Sequence, residues 1–377
     1  MLSPRRTLAI ARKEFLHVGR DPWSLGMAIA IPMLMLLLFG YALTLDVDRV
    51  PLVIYDQSKT PVSRELISRF TGSRYFTARA SVDQYKDVER LIDKGDALVA
   101  LVIPRDFSQM VSSGRRVSVQ LLVDASDANT GQIALGYAQA VAQDYNQDLQ
   151  IQALARQGQP PIVPAVDLRP RVWYNTDLES KNFIVPGLIA VIMMVIAALL
   201  TSLTVAREWE RGTMEQLIST PVKGPELVVG KLLPYWTIGM LDVVLAFLVG
   251  RYLYSVPMRG SEGLLFGLAA IFLVGAMAMG ILISIMARNQ LVASQLAILT
   301  TFVPSYLLSG FLFAVSNMPH AIQVLTYLIP ATYFIRILRG IYLKGVGLEI
   351  LAAPAALMLA FSVTMTTLAI IKFKKRL

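Results

Sequence analysis

"FIVPGLIAVIMMVIAALLTSLTVAREWERGTMEQLISTP" occupies residues 183–221. Phe183 to Val205 carries no charge and exceeds the roughly 20 apolar residues that a helix needs to cross a bilayer. From residue 207 to 221 the character reverses. Arg207, Glu208, Glu210, Arg211 and Glu215 gather around Trp209 and Gly212, and Pro221 ends the element. Charged groups of this density are too costly for the hydrocarbon interior, so the chain is expected to leave the membrane near Val205 and to form a short helix at its surface. Within that helix, Arg207 and Glu210, Glu208 and Arg211, and Arg211 and Glu215 stand three or four apart and are expected to pair. Val205, Trp209, Thr213 and Leu217 form a more apolar line, with Trp209 at headgroup level.

Working outward, five more runs reach membrane length: 26–45, 232–249, 264–286, 291–313 and 351–371. Only 16% of the 377 residues are charged, against about a quarter in soluble domains, so an α-helical polytopic membrane protein with six spans is expected. The first run reads as an uncleaved span rather than a signal peptide: it starts late, is long, and lacks a small-x-small cleavage site. Arg5-Arg6 is separated from it by Arg12, Lys13, Arg20 and Asp21, which argues against a twin-arginine signal. Residues 314–350 contain "VLTYLIPATYFIRILRGIYLKG", apolar but interrupted by Pro330, Arg336 and Arg339. They are expected to form a broken helix pair that dips into the outer leaflet. Upstream of the first span, residues 1–25 form an interfacial helix, with Leu8, Ala11, Phe15 and Val18 on one face and Arg6, Lys13, His17 and Arg20 on the other.

Residues 46–182 differ. Strand-like runs at 50–56, 74–80, 96–104 and 117–125 alternate with helix-like stretches at 61–70, 82–94 and 105–113, and a long helix follows from 132 to 155. This alternation predicts an inserted α/β domain. "DASDANTG" (124–131) lacks the spacing and closing glutamate of a calcium loop; Asp127 or Asn129 is better read as a helix cap.

The placement of basic residues orients the chain. With six spans, fourteen Lys and Arg residues lie on the side of the termini and of residues 207–221, against five in the short segments opposite. By the positive-inside rule the termini and residues 207–221 face the cytoplasm, and the α/β domain is extracytoplasmic. That distribution explains the net charge of +9 without nucleic acid.

Catalytic parts are scarce. There is no cysteine, there are only two histidines, His17 and His320, and no Walker A or H-E-x-x-H motif occurs. No catalytic residue and no metal site are expected. Asp242 falls near the middle of the third span, where an ionisable group must face the bundle interior, a polar pathway or a partner. Gly275, Ala276 and Gly280 offer a small-residue face in the fourth span. In the fifth span Gln295, Thr300, Thr301, Ser305 and Ser309 either line a path or join helices.

Several stretches together resemble the permease of type-2 ATP-binding-cassette exporters, bacterial subgroup with a large external domain between the first two spans. They are "AIARKEFLHVGRDPWSLGMAIAIPMLMLLLFGYAL" (9–43), "VPGLIAVIMM" (185–194), "REWERGTMEQLISTPVKGPELVVGKLLPY" (207–235) and "IPATYFIRILRGIYLKG" (329–345). The most specific is E-[RK]-G-T-[LM]-E-Q-[LI]-…-[ST]-P, carried here by Glu210, Arg211, Gly212, Thr213, Met214, Glu215, Gln216, Leu217, Thr220 and Pro221. The resemblance implies that residues 207–221 are a coupling helix that docks on an ATPase, with Arg207 and Glu208 at its start. It implies that Arg12, Lys13, Glu14 and Phe15 belong to the interfacial connecting helix. It also implies that Pro330, Tyr333, Arg336, Arg339 and Gly340 belong to outer re-entrant helices.

The same resemblance explains the missing phosphate loop. The chain would bind no cofactor itself, and ATP and Mg would sit on separate cytoplasmic ATPase subunits. A second permease, identical or a sister subunit, would complete the path in the lipid of the inner membrane. The resemblance leaves room for a periplasmic adaptor and an outer-membrane channel. Two other classes fit the residues alone: an ion-coupled carrier using Asp242, and a membrane-anchored scaffold or sensor with an external binding domain.

Overall fold

The structure is a computed structural model describing residues 3–43, 49–156, 173–175 and 179–373. Basic residues Lys374, Lys375 and Arg376 and the proline-rich stretch before residue 172 lie outside the described residues. The chain divides into two compact units, Met1–Thr44 with Val172–Leu377, and Leu45–Arg171.

Helices α1 (Pro4–Gly19) and α2 (Pro22–Ala42) precede the inserted unit. That unit runs β1 (Val50–Asp56), α3 (Pro61–Gly72), β2 (Phe76–Ser81), α4 (Tyr85–Asp93), β3 (Val99–Ile103), α5 (Phe107–Ser112), β4 (Gln120–Val123) and α6 (Ala128–Arg156). The expected strand and helix alternation is present, with boundaries displaced by a few residues. Strand order is β2-β1-β3-β4, with β1 parallel to β2 and β3, and β4 antiparallel to β3. All five residues of β3 are buried, as expected for a central strand covered on both faces. One face packs Leu52, Leu101 and Phe70 with Tyr145 of α6; the other packs Val53, Ala100 and Val88. In "DASDANTG", Asp124 accepts from Ser126 N at 2.9 Å, a local turn.

The second half runs α7 (Ser180–Glu210), α8 (Thr213–Ile218), α9 (Gly224–Leu248), α10 (Glu262–Ala287), α11 (Gln290–Leu307), α12 (His320–Thr326), α13 (Pro330–Arg339) and α14 (Leu348–Lys372). α9 and α13 each continue into a five-residue π turn, Val249–Leu253 and Gly340–Lys344. Among the described residues six helices are long and apolar enough to cross a membrane: α2, α7, α9 with its π turn, α10, α11 and α14. The interrupted segment is a helix pair, α12 and α13, bent by 83°. The fifth span is shorter than its apolar run, because the helix ends at Leu307 and the chain turns through Gly310 at φ +83°.

α7 is the axis of the unit, buried on almost every side from Ile184 to Ala198, which matches an apolar composition without an amphipathic face. Lipid is as apolar as leucine, so its contacts rely on close packing and polar links rather than on a hydrophobic drive. Thr201 Oγ1 donates to Met277 O at 2.9 Å, and Ser284 Oγ accepts from the backbone N–H of Val205 and Ala206 at 3.0 and 2.9 Å. The small residues of α10 serve two neighbours rather than one face. Gly280 lies against Ala198 and Thr201 of α7, while Gly275 lies against Phe361 and Ser362 of α14.

A side chain at 280 would meet the α7 backbone. Gly280→Val is therefore expected to destabilise the protein by about 1–3 kcal/mol or more. Gly267→Val, which adds its side chain to open space, is the control, and thermal unfolding of the two purified variants separates them.

Candidate functional site

The stretch that opens the reading is not one helix. α7 continues to Glu210, Gly212 takes φ +67°, and α8 is a separate six-residue helix from Thr213. The left-handed backbone at 212 is what favours glycine there. The three charge pairs expected inside the stretch do not form among the described residues: the turn at Gly212 separates Arg211 from Glu215, while Arg207, Glu208 and Glu210 bond to groups on other elements. Met214 is buried and anchors α8, leaving Arg211, Thr213, Glu215 and Gln216 exposed. Trp209 stacks under the Arg288 guanidinium at 4.6 Å.

Glu208 is only 7% exposed. Its Oε1 accepts from Lys13 Nζ at 2.8 Å and lies 3.0 Å from Lys231 Nζ. Lys231, 1% exposed in the second turn of α9, also donates to Glu14 Oε1 at 2.9 Å. Two acids and two lysines from α1, α7 and α9 thus form one buried cluster. Burial alone would push the Glu14 carboxyl up; hydrogen bonding and charge from Lys231, then Lys13 and His17, outweigh it and hold Glu14 below the ordinary glutamate range. Burial opposes the Lys13 charge, but Glu208 and then Glu14 hold its ammonium above the usual value.

Beside the cluster, Arg207 Nη1 donates to His17 Nε2 at 3.2 Å and its Nε to Gln290 Oε1 at 3.3 Å. Glu210 accepts from Gln290 N at 2.8 Å and from the Gln290 side-chain amide. At the other end, Arg6 donates to Pro221 O at 2.7 Å, and Glu226 accepts from Ser3 N and Lys223 N at 2.8 and 2.9 Å. α1 therefore holds both flanks of α8.

Of the expected basic face of α1, Lys13 and His17 bond to α7. Ala11 and Glu14 are the buried residues of α1, while Leu8 and Phe15 are 68% and 42% exposed. Gly230 is the crossing point, since a Cβ there would lie 2.8 Å from Ile10 Cβ. Arg12 is exposed. Lys231, one of the fourteen basic residues on the side of the termini, is a buried side chain of α9. It had a signal that the sequence reading missed: a lysine inside "LVVGKLLPYW" needs an acid, and Glu14 is the lone acid among the basic residues of α1.

The mid-span candidates do not come together. Asp242 is 1% exposed, and neither carboxyl oxygen has a hydrogen-bond partner among the described residues. Gln295 is exposed. Thr301 Oγ1 donates to Ala297 O at 2.6 Å within α11, and Ser305 O accepts from the Ser309 hydroxyl just beyond the end of α11, both bonds to a carbonyl four residues back.

The outer candidates do converge. Pro330 is the first residue of α13, where a missing N–H costs nothing. Tyr333 OH donates to Tyr327 O at 2.7 Å and closes the bend between α12 and α13. Arg339 donates to Gly310 O at 2.9 Å, to Phe311 O and Phe183 O at 3.3 Å, and lies 3.4 Å over the Phe183 ring. One guanidinium thereby joins the start of α7, the turn after α11 and the end of α13. Gly340, behind it, is buried against Leu351, while Arg336 is exposed.

Among the described residues no group of three or more His, Cys, Asp or Glu side chains is placed to hold a metal. A six-span bundle with a bent helix pair and a short charged helix after its second span defines a class of membrane permease. The sequence model of the ABC-2 family transporter protein matches residues 22–371, and the chain belongs to that family. It is 38% identical over 378 residues to the probable multidrug ABC transporter permease YbhS of Escherichia coli (strain K12), covering 100% of this chain and 99% of the relative. It is 31% identical over 374 residues to the probable multidrug ABC transporter permease YbhR of the same strain, covering 98% and 99%. The inner membrane transport permease YhhJ of that strain is 25% identical over 336 residues, 88% and 86% of the two chains. The protein is a transmembrane permease subunit of an ABC exporter, and ATP hydrolysis belongs to a separate subunit. This separates it from ion-coupled carriers and from scaffolds.

Removing Lys231 leaves Glu14 and Glu208 buried with one cation fewer. Lys231→Met is expected to destabilise by about 3–5 kcal/mol, the range for breaking a buried ion pair, with partial recovery in Lys231→Met plus Glu14→Gln, read by thermal unfolding in detergent. Because the Glu14 carboxyl is held below its ordinary value of 4.5, its contribution is complete at neutral pH and is lost as the pH falls through the lowered value. Unfolding temperature is therefore expected to drop on acidification in the wild type, and to drop less in Glu14→Gln. At the outer end, Arg339→Lys keeps the charge but loses the planar fork, and is expected to cost about 1–3 kcal/mol.

Proposed function

We propose that the exposed face of α8 is the surface on which the cytoplasmic ATPase docks, and that α1, α7 and α9 transmit its motion through the buried cluster. The observation that carries this reading is the seating of α8. Its flanks are fixed by Lys13, Lys231 and Arg6, while Arg211, Thr213, Glu215 and Gln216 stay exposed. A helix so held moves its neighbours when it is pushed. Glu208, Glu210, Gly212 and Pro221 then position the surface rather than contact the partner, since their side chains or carbonyls are already engaged or serve the turn.

The excess of Lys and Arg on the side of α8 supports a cytoplasmic placement of α8 and both termini, with the α/β unit opposite. Two permeases, alike or sister chains, form the path between them. The exposed apolar faces of α2 and α11, including Leu34, Leu38, Leu299 and Val303, supply surface for a partner permease or lipid. Two relatives carry the name multidrug ABC transporter permease; together with an apolar interior this favours hydrophobic compounds as cargo. An adaptor and outer-membrane channel at the α/β unit would complete such a route. ATP and Mg would remain on the ATPase. Arg339 would hold the outer helix pair closed over the start of α7 until the ATPases engage.

Co-purification tests the docking. Glu215→Arg with Gln216→Arg is expected to lower the recovery of the cognate ATPase about tenfold or more, as for a lost central contact of an interface, while the permease elutes and unfolds as the wild type. Unchanged recovery of ATPase and unchanged transport would refute the assignment of α8.

A further inference from the structure

One cavity opens on the buried cluster and a second lies next to it. The first, of about 440 Å³, lies beneath α8 and is walled by Lys13, Glu14, Arg207, Glu208, Arg211 and Lys231 among others. The second, of about 210 Å³, runs along the spans between α2, α7 and α9, walled by side chains such as Leu25, Ala28, Ile31, Ile196, Leu200 and Ile238. His17, Thr204, Arg207 and Tyr235 line both. The two adjoin across these four side chains and together make a cleft that is charged on one side of them and apolar on the other.

The dimensions and chemistry of the cleft narrow its occupant. From Arg207 at the neck to Ile196 in the apolar half is eleven residues of helix, about 16 Å at 1.5 Å per residue. That is close to one leaflet of a hydrocarbon core about 30 Å thick. Met27 and Ile31 on the α2 wall are exposed at 53% and 42%, so the apolar half is open towards the bilayer. In the charged half, Glu208 Oε1 is taken by Lys13 and Lys231, but its Oε2 is buried and has no hydrogen-bond partner among the described residues. A buried carboxylate oxygen needs a donor, and leaving it without one is costly. Arg207 and Arg211 on the same wall suit an anion, the guanidinium fork matching phosphate.

We propose that this cleft holds one glycerophospholipid with a primary ammonium headgroup. An acyl chain lies between α2 and α7, the phosphate meets Arg207 and Arg211, and the ammonium donates to Glu208 Oε2. A choline headgroup carries no N–H to donate, and a glycerol headgroup brings no cation to Glu208. Such a lipid makes the seating of α8 depend on the membrane around it, because its headgroup completes the cluster that ties α7 to α1 and α9. This inference rests on the membrane placement of these helices and not on the docking of an ATPase.

The test uses the full-length permease alone, exchanged into vesicles of equal phosphatidylethanolamine, phosphatidylcholine and phosphatidylglycerol, then re-extracted and analysed for retained lipid by native mass spectrometry. Phosphatidylethanolamine is expected to be retained about tenfold over either other lipid, the factor that one charge-assisted hydrogen bond supplies. Ala28→Phe, which fills the apolar half, is expected to abolish that preference; Leu200→Phe probes the same half from α7 should the first variant fold poorly. Equal retention of the three lipids, preference for phosphatidylglycerol, or retention unchanged in both well-folded variants would overturn the proposal. Loss of ATPase recovery in the α8 variant leaves this measurement untouched, so the two readings fail separately.

Discussion

Lys231 is the constraint on which the membrane unit depends. An ammonium with 1% exposure in an apolar helix is tolerable only with acids at hand, and its two acids come from different elements, Glu14 on α1 and Glu208 on α7. The consequence is geometric. The base of α9, the end of α7 and the middle of α1 cannot separate without exposing a charge to an apolar surround. Replacing such a cluster with apolar residues is often neutral or favourable to stability, so its value lies in the relative placement of three helices rather than in cohesion.

From that fixed point the rest of this end of the bundle follows. With α7 held to Glu210 and α9 held from Lys223 onward, the intervening residues must turn back within a short distance. Gly212 supplies the left-handed backbone, Met214 supplies the anchor, and Arg6 receives the returning chain at Pro221. The exposed part of α8 is what remains. At the opposite end Arg339 plays a comparable part with neutral partners, gathering the carbonyls of Phe183, Gly310 and Phe311. α7 thus has a charged tie at one end and a guanidinium at the other, and between them a body packed by Gly280 and the hydroxyls of Thr201 and Ser284. A rigid central helix pinned at both ends is suited to carrying a displacement across the membrane.

Asp242 stands apart. It is as buried as Lys231, yet it has no partner among the described residues, and the hydroxyls of Thr300 and Thr301 on α11 are occupied within their own helix. The family relationship makes ATP hydrolysis by a separate subunit the driving reaction, so an acid at this depth is not required for coupling.

Periodicity and composition alone determined the number of spans, the alternation of the α/β unit and the bent outer pair, because lipid forces every backbone group to be satisfied within a helix and strands alternate on a period of two. Resemblance along the chain pointed to residues 207–221 and to the ATP-driven class. What only the tertiary structure decided was which charges meet. Arg211 and Glu215 have helical spacing on paper, but one left-handed glycine lies between them, while Glu208 turns to Lys13 in α1, 195 residues away, and Glu210 to Gln290 at the start of α11. Which residues α1 turns towards the bundle was likewise not legible. Its apolar residues Leu8 and Phe15 lie outward in a membrane protein, where lipid accepts them, while small Ala11 and charged Glu14 face the bundle. Hydrophobicity tells a helix whether it belongs in a membrane; close packing and charge pairing, which are non-local, determine which side of it faces protein.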